Sequence, residues 1–410
     1  MSETEFEFHS EPKLKRRGWL SVLLVVVLAV TGTGLATLGG GYVYVTQQLS
    51  AAGIEVFSTD GETFSPPTAA EIDGPISVLL IGSDTREDQG DVNYGEVGTN
   101  LADVIILMHI PEDRKSAVAL SFPRDLMVSV PECPNPEGGP AFPAKDFVQI
   151  NSTMNYGGPA CTLLAVQALT GVTIPYLGVI DFKGVIAMSE AIGGVEVCIS
   201  EPINDDKSKL YIDAGYHTLE GEQALAFLRT RYGVGDGSDL SRISNQQVFL
   251  TSMVRKLKDE GALTNPVTLF RLSTAALENM TLSKSLTDIG VLFGMAREVN
   301  DVDLDKITFL KLPVYDLEGE YAGRVAPVPE RAQYLFDLIA NDDALILETA
   351  NPGAGAVVVD DPGANQKAES EAEPTDAASE PATSPAISAT PEPLPEWVQG
   401  TNASVTSCSN

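Results

Sequence analysis

The sequence predicts an α/β fold: a three-layer α-β-α domain with a mixed central sheet, set behind a single N-terminal transmembrane helix. Three observations carry that expectation. From residue 75 to about residue 345, short apolar runs ending in turn residues alternate with helix-patterned stretches, as layered sheets and helices require. A charge-free apolar run from Gly18 to Val45 exceeds the core of a cleaved leader. Beyond residue 350, Ala, Glu, Pro, Ser and Thr replace the large apolar residues.

Taken in order, residues 1–17 form a short N-terminus and residues 18–45 the span. At ~1.5 Å per residue that run crosses ~30 Å of hydrocarbon. Lys13, Lys15, Arg16 and Arg17 precede it, which keeps the N-terminus cytoplasmic. Trp19 at one end and Tyr42 and Tyr44 at the other suit the two interfaces. Residues 46–74 read as a stalk. Buried strands are expected at Ser77–Gly82, Val104–Ile110, Ala117–Phe122, Leu177–Ile180, Val195–Ile199 and Ile307–Leu312, each a compact apolar run. Helical periodicity covers 160–169, 183–191, 239–257, 267–278, 286–298 and 329–341. Glu220 with Gln223 three residues later reads as a weak capping box before the helix at Ala224. Residues 350–395 cannot bury enough apolar surface to offset their ordering entropy, so they read as a disordered tail. A short segment, 396–410, regains Trp397 and Cys408.

The 410 residues carry a net charge of −31. So acidic a chain has no basic stripe with which to displace counterions, and general nucleic-acid binding is excluded. Cys133, Cys161, Cys198 and Cys408 include no CxxC pair, and His9, His109 and His217 are scattered, against a zinc site. An exported chain with an even cysteine count permits disulfides. Cys133, in a Pro-rich loop, and Cys161, near a helix start, make the favoured pair; Cys198 in its apolar strand reads as a buried thiol.

The chemistry-bearing residues fall at element ends. Arg229-Thr230-Arg231 closes an apolar helical run. On a continuous helix, positions i and i+2 diverge by ~200°, but if the helix stops near Arg229 and the chain extends, both guanidiniums turn the same way. Converging guanidiniums suit a phosphate. Asp84 follows the first strand and Asp103 opens the second. If those strands are antiparallel neighbours, the two carboxylates meet on one edge and suit Mg²⁺, which takes one or two carboxylates plus phosphate oxygens. Ordinary cap or turn aspartates would look the same. Ser121-Phe122-Pro123-Arg124-Asp125 ends the third strand, and Asp239 and Arg242 open the long helix.

These motifs resemble the LytR-CpsA-Psr family of cell-wall glycopolymer transferases. The likeness runs from about Ser77 to Lys258, with core motifs in 77–258 of an extracytoplasmic catalytic domain spanning 75–345. It includes Leu80-Ile81-Gly82-Ser83-Asp84-Thr85-Arg86, Ala102-Asp103-Val104-Ile105, Ser121-Phe122-Pro123-Arg124-Asp125 and Ile150-Asn151-Ser152 before Gly157-Gly158. Ala191-Ile192-Gly193-Gly194-Val195 and the Arg229-Thr230-Arg231, Asp239, Arg242, Gln246-Gln247 block complete it. The resemblance implies a single-pass protein of the bacterial cell membrane, its catalytic domain outside. It would transfer a glycan phosphate from a polyprenyl-diphosphate-linked precursor to a peptidoglycan hydroxyl and release polyprenyl phosphate, with Mg²⁺ (or Mn²⁺).

Carried over by position, Asp84 and Asp103 match the metal acids, and Arg124, Arg229 and Arg231 the diphosphate arginines. Arg86, Arg242 and Gln246 join the diphosphate set, with Asp239 the companion acid. The proton acceptor stays open between Asp125 and Asp103. Leu101, Gln149 and Asn245 stand where many relatives carry a cation, which thins the site's positive charge. Two other readings use the same residues: a lipid-diphosphate pyrophosphatase with water as acceptor, and a non-enzymatic envelope regulator that binds glycan or lipid.

Overall fold

Apolar runs as continuous as Ile76–Ser83 need cover on both faces, and that need organises the fold. The computed structural model describes residues 53–58, 63–64, 72, 74–84, 100–135, 138–359 and 393–410. The expected N-terminus, membrane span and Arg86 lie outside these residues, as does 360–392 of the expected tail. Among the described residues no helix is long and apolar enough to cross a membrane.

The strands that build the two larger sheets are β1 (Ile76–Ser83), β2 (Ala102–Ile110), β3 (Ala117–Phe122), β4 (Tyr176–Ile180), β5 (Val195–Ile199) and β6 (Gly215–Leu219). Then come β7 (Met280–Leu282), β8 (Ile307–Lys311), β9 (Ala356–Val358), β10 (Gly400–Asn402) and β11 (Ser407–Ser409). The helices are α1 (Thr153–Thr170), α2 (Phe182–Ile192), α3 (Gly221–Arg229), α4 (Asp239–Asp259), α5 (Pro266–Asn279), α6 (Ile289–Asp301) and α7 (Pro329–Ala340).

The central sheet has the order β7-β4-β1-β2-β3-β8-β10. It is mixed: β1 runs antiparallel to β2 and parallel to β4, and β3 runs antiparallel to β2 and parallel to β8. Alternation sends Leu79 and Ile81 into a core shared with Leu163 and Val166 of α1 and Leu335 and Phe336 of α7. Leu80 and Gly82 face α2, α3 and α4 across a cavity. A second sheet, β6-β5-β11-β9, packs Val195, Val197 and Ala356 against Phe227 of α3 and Val248 of α4.

The domain takes in more chain than the expected limits of 75 and 345. Ile54 bridges Ser283 in the supposed stalk, and Val56 is buried in the core. At the other end, residues 351–359 and 393–410 supply β9, β10 and β11, including ground assigned to the tail. Cys133 is bonded to Cys161, as expected. Cys198 is not a free thiol: β5 and β11 lie side by side, opposing it to Cys408, and the two are bonded. Helix α1 is broken by Gly157 and Gly158, whose angles are non-helical. A Cβ on Gly157 would stand 2.9 Å from Cys161 Cβ and 3.0 Å from Cys133 Cβ, so the approach that makes this disulfide requires glycine. The capping box at Glu220 does not form; Glu220 is the N-cap, but its side chain makes no capping bond.

Candidate functional site

The site begins with a defect in the ladder. Gly82 pairs with Val104 and Ser83 with Ala102, so Asp103 is the extra residue of a β-bulge. Bulges re-aim side chains, and this one turns Asp103 into the cavity. Asp84 lies on the same edge, where its amide donates to Leu101 O (3.2 Å) and its Oδ1 accepts from Leu101 N (2.8 Å). Both acids therefore lie on one strand edge, but Asp84 is buried and is not among the residues that line the cavity.

Arg124 leaves the end of β3 at that edge and donates Nη1 to Asp103 Oδ1 at 2.6 Å. Its backbone amide donates to Asp239 Oδ2 (3.2 Å), in the first turn of α4. Asp239 Oδ1 lies 2.6 Å from Arg242 Nη2, and that same Nη2 donates to the backbone carbonyl of Asp103 at 2.7 Å. The result is a closed ring: Asp103, Arg124, Asp239, Arg242 and back to Asp103. Burial opposes the charge on Arg124, but Asp103, Asp239 and Asp125 outweigh it and hold its pKa above the usual arginine value. Such a ring fixes Arg124 before any ligand arrives, which is where electrostatic preorganisation is effective.

Arg229 and Arg231 approach from the opposite wall. Helix α3 ends at Arg229, and Thr230 is extended at φ −62°, ψ 140°. Both arginines line the cavity, together with Asp103, Arg124, Arg242 and Gln246. Arg229 stacks its guanidinium 4.3 Å from the Phe182 ring, a cation–π contact. Among the described residues Arg231 Nε is buried and has no hydrogen-bond partner, a donor that suits an incoming anion.

Asp125 behaves differently from Asp103. It is absent from the cavity wall; Gln149 Nε2 donates to its Oδ1, and Arg324 Nη1 lies 3.5 Å from the same oxygen. Gln149 thus steadies Asp125. Asn245 donates Nδ2 to Phe227 O at 2.7 Å and accepts from Ser409 Oγ, so this departure ties β11 to α3. Gln246 donates to Leu228 O at 3.0 Å.

One positioning residue carries no motif in the sequence. Asp205 sits in the hairpin Ile203–Asp205 and Leu210–Ile212. Its Oδ2 accepts from Thr230 Oγ1 (2.7 Å), Arg231 N (3.1 Å) and Tyr232 N (3.4 Å). Its Oδ1 accepts from Lys207 N and Ser208 N. Burial raises its pKa, but the hydrogen bonds, led by Thr230, win and hold it at about 2. Asp205 thereby sets the extended turn that lets Arg229 and Arg231 converge.

The cavity holds about 420 Å³. Leu80, Val104, Ile106, Val185, Leu228 and Phe249 give it apolar walls, and the arginines and Asp103 collect at its polar end. It is amphiphilic, with room for a hydrocarbon tail and an anionic head. Among the described residues no group of three His, Cys, Asp or Glu side chains is placed to hold a metal. Asp103 lines the cavity, and Asp84 lies buried on the same strand edge.

Known proteins resemble this chain in sequence and in fold. The model of the LytR_cpsA_psr family matches residues 42–328. Cell wall biosynthesis protein LcpA of Corynebacterium glutamicum is 27% identical over 346 residues, which cover 78% of this chain and 64% of that protein. Probable cell wall biosynthesis protein LcpB of the same organism is 30% identical over 213 residues, 50% of this chain and 48% of its own length. The chain thus spans less than two thirds of both. Polyisoprenyl-teichoic acid–peptidoglycan teichoic acid transferase TagT of Bacillus subtilis is 26% identical over 307 residues, 72% of this chain and 87% of that protein. The crystal structure of B. subtilis TagV superposes with a TM-score of 0.53 at 20% identity, covering 66% of this chain and 98% of that one; the fold is the same.

Proposed function

The chain belongs to the LytR-CpsA-Psr family, and from that premise we propose that it is a membrane-anchored phosphotransferase. It moves a glycopolymer from a polyprenyl-diphosphate-linked precursor to a peptidoglycan hydroxyl and releases polyprenyl phosphate. One observation carries this reading: an apolar cavity whose polar end gathers Arg124, Arg229 and Arg231. A polyprenyl chain matches the walls and a diphosphate matches the rim.

The acceptor oxygen attacks the phosphorus that bears the glycan. As that bond forms, the bond from this phosphorus to the bridging oxygen breaks, and polyprenyl phosphate leaves as the monoester. Charge builds on the non-bridging and leaving oxygens. Guanidinium forks neutralise it with paired donors, and Arg124 is already aligned by its ring of partners. Of the two candidate bases, Asp103 lies on the cavity wall while Asp125 is turned to Gln149 and Arg324. Asp103 can take the hydroxyl proton only while it is not on the metal; otherwise that role falls to Asp125.

Mg²⁺ (or Mn²⁺), held by Asp84 and Asp103, would supply charge neutralisation at the phosphate oxygens. With only two carboxylates, the chain alone should bind the ion weakly and lipid diphosphate should strengthen it. Calorimetric Mg²⁺ titrations with and without lipid diphosphate check this, and tight binding by the chain alone would overturn the two-acid site.

Replacing Arg229 and Arg231 together with Ala should lower transfer by about 10²–10³-fold or more with an unchanged circular-dichroism spectrum. Transfer at the wild-type rate by the double variant sinks the arginine clamp.

A further inference from the structure

A second pocket adjoins the first on the outer side of α3. It holds about 210 Å³ and shares Leu225 and Arg229 with the larger cavity. That is below the roughly 300–1,000 Å³ of drug-sized sites and on the scale of one sugar ring. Its far wall is the turn of the 203–212 hairpin, and its near wall is the outer face of α3.

The lining has the chemistry of a pyranose site. Tyr211 is 59% exposed, and its hydroxyl donates to Asp206 Oδ1 at 2.6 Å, which anchors a flat apolar ring at the mouth. Glu222 and Gln223 offer acceptors and donors from α3, and Leu225 and Ala226 give an apolar floor. A sugar ring presents the same alternation, C–H faces and hydroxyl edges.

An independent observation points to a ligand. Ser208 lines the pocket and is only 7% exposed, yet among the described residues its Oγ has no hydrogen-bond partner. A buried hydroxyl left unpaired costs about 1–3 kcal/mol, so its retention needs a reason. The Ser208 backbone is held in place, since Asp205 Oδ1 accepts from Ser208 N at 3.3 Å while Oδ2 accepts from Thr230. One carboxylate therefore holds both the Ser208 main chain and the segment that carries Arg231.

We propose that this pocket is a sugar subsite, which holds one pyranose unit beside Arg229 while the lipid diphosphate occupies the cavity. The identity of the sugar rests on the transfer reading above. It comes either from the acceptor, an amino-sugar oligosaccharide of peptidoglycan, or from the donor, the unit attached to the diphosphate.

The test uses the full chain in detergent and measures binding without turnover. Its probes are a lipid-free peptidoglycan oligosaccharide and a pair of lipid diphosphates, with and without one sugar. Tyr211→Ala should raise the dissociation constant for one sugar-bearing probe by about tenfold. An effect on the oligosaccharide assigns the acceptor, and loss of the difference between the two lipids assigns the donor. Ser208→Ala should weaken the same probe while the melting temperature stays level or rises, because it removes a hydroxyl that the free protein leaves unpaired. If both variants bind every probe within twofold of the wild type, the subsite is overturned. If the wild type binds sugar through Tyr211 but turns over no lipid diphosphate, the subsite stands and the transfer reading falls.

Discussion

The two faces of β1 are built from the same eight-residue strand and do opposite work. Leu79 and Ile81 are fully buried against α1 and α7. Leu80 and Gly82, one residue out of phase, stay partly exposed along the cavity. Both faces are apolar, so composition does not separate them. What separates them is closure: one face meets side chains of its own chain, and the other meets a space that a ligand's hydrocarbon would fill. A strand that reads as uniformly core can therefore be half core and half site.

The largest expected effect tests that division directly. Leu79→Ala should destabilise the domain by about 2–5 kcal/mol, the range for a large-to-small change in a closed core. Leu80→Ala should cost roughly 1 kcal/mol or less, and should instead raise KM for the lipid donor. Urea denaturation and donor kinetics on both variants check this. Equal stability losses would break the comparison.

Asp205→Asn comes next. It weakens an acceptor of five hydrogen bonds, at a cost of about 1–3 kcal/mol, and loosens Arg231 for a fall in kcat/KM of up to about 10²-fold. The acid limb has a definite sign. With a folded pKa of about 2 below the unfolded value of ~3.9, the contribution is complete above pH ~4. It is lost as pH falls toward 2, and the variant should flatten that limb of the stability curve.

The smallest effect concerns Lys311, at the end of β8. It is buried and donates to Ser244 Oγ of α4 at 2.6 Å. Burial lowers its pKa to about 8, with Asp236 in partial opposition. The unfolded chain therefore binds the extra proton between pH 8 and ~10.4, so stability rises with pH across that window, by at most about 1.4 kcal/mol per pH unit. Lys311→Met should remove this slope relative to the wild type, as thermal melts at pH 8, 9 and 10 would show.

Much of the fold was legible because its strands are continuous apolar runs and its helices keep their period. The expected β1 to β3 and the helix from Asp239 all appear within a few residues of the observed ends. Site residues were legible as charges at element ends, and the extended Thr230 follows from a helix that stops at Arg229. Other parts left no periodic trace. The strands β10 and β11 are three residues each, too short for alternation to register. Asp205 acts through residues 25 to 27 positions away, and no local pattern marks it. The Cys198–Cys408 pair spans 210 positions, and only the fold brings it together. The bulge at Asp103 is likewise a property of two strands, not of one.

The position of β11 bears on how the chain must be made. It lies between β5 and β9, so one of the second sheet's two inner strands is supplied by residues 407–409. Until those residues leave the ribosome, β5 presents an open edge of the kind that recruits other strands. The disulfide to Cys408 then locks the arrangement, a closure over a long loop that stabilises by roughly 2–5 kcal/mol. Synthesis order and folding order therefore part company here.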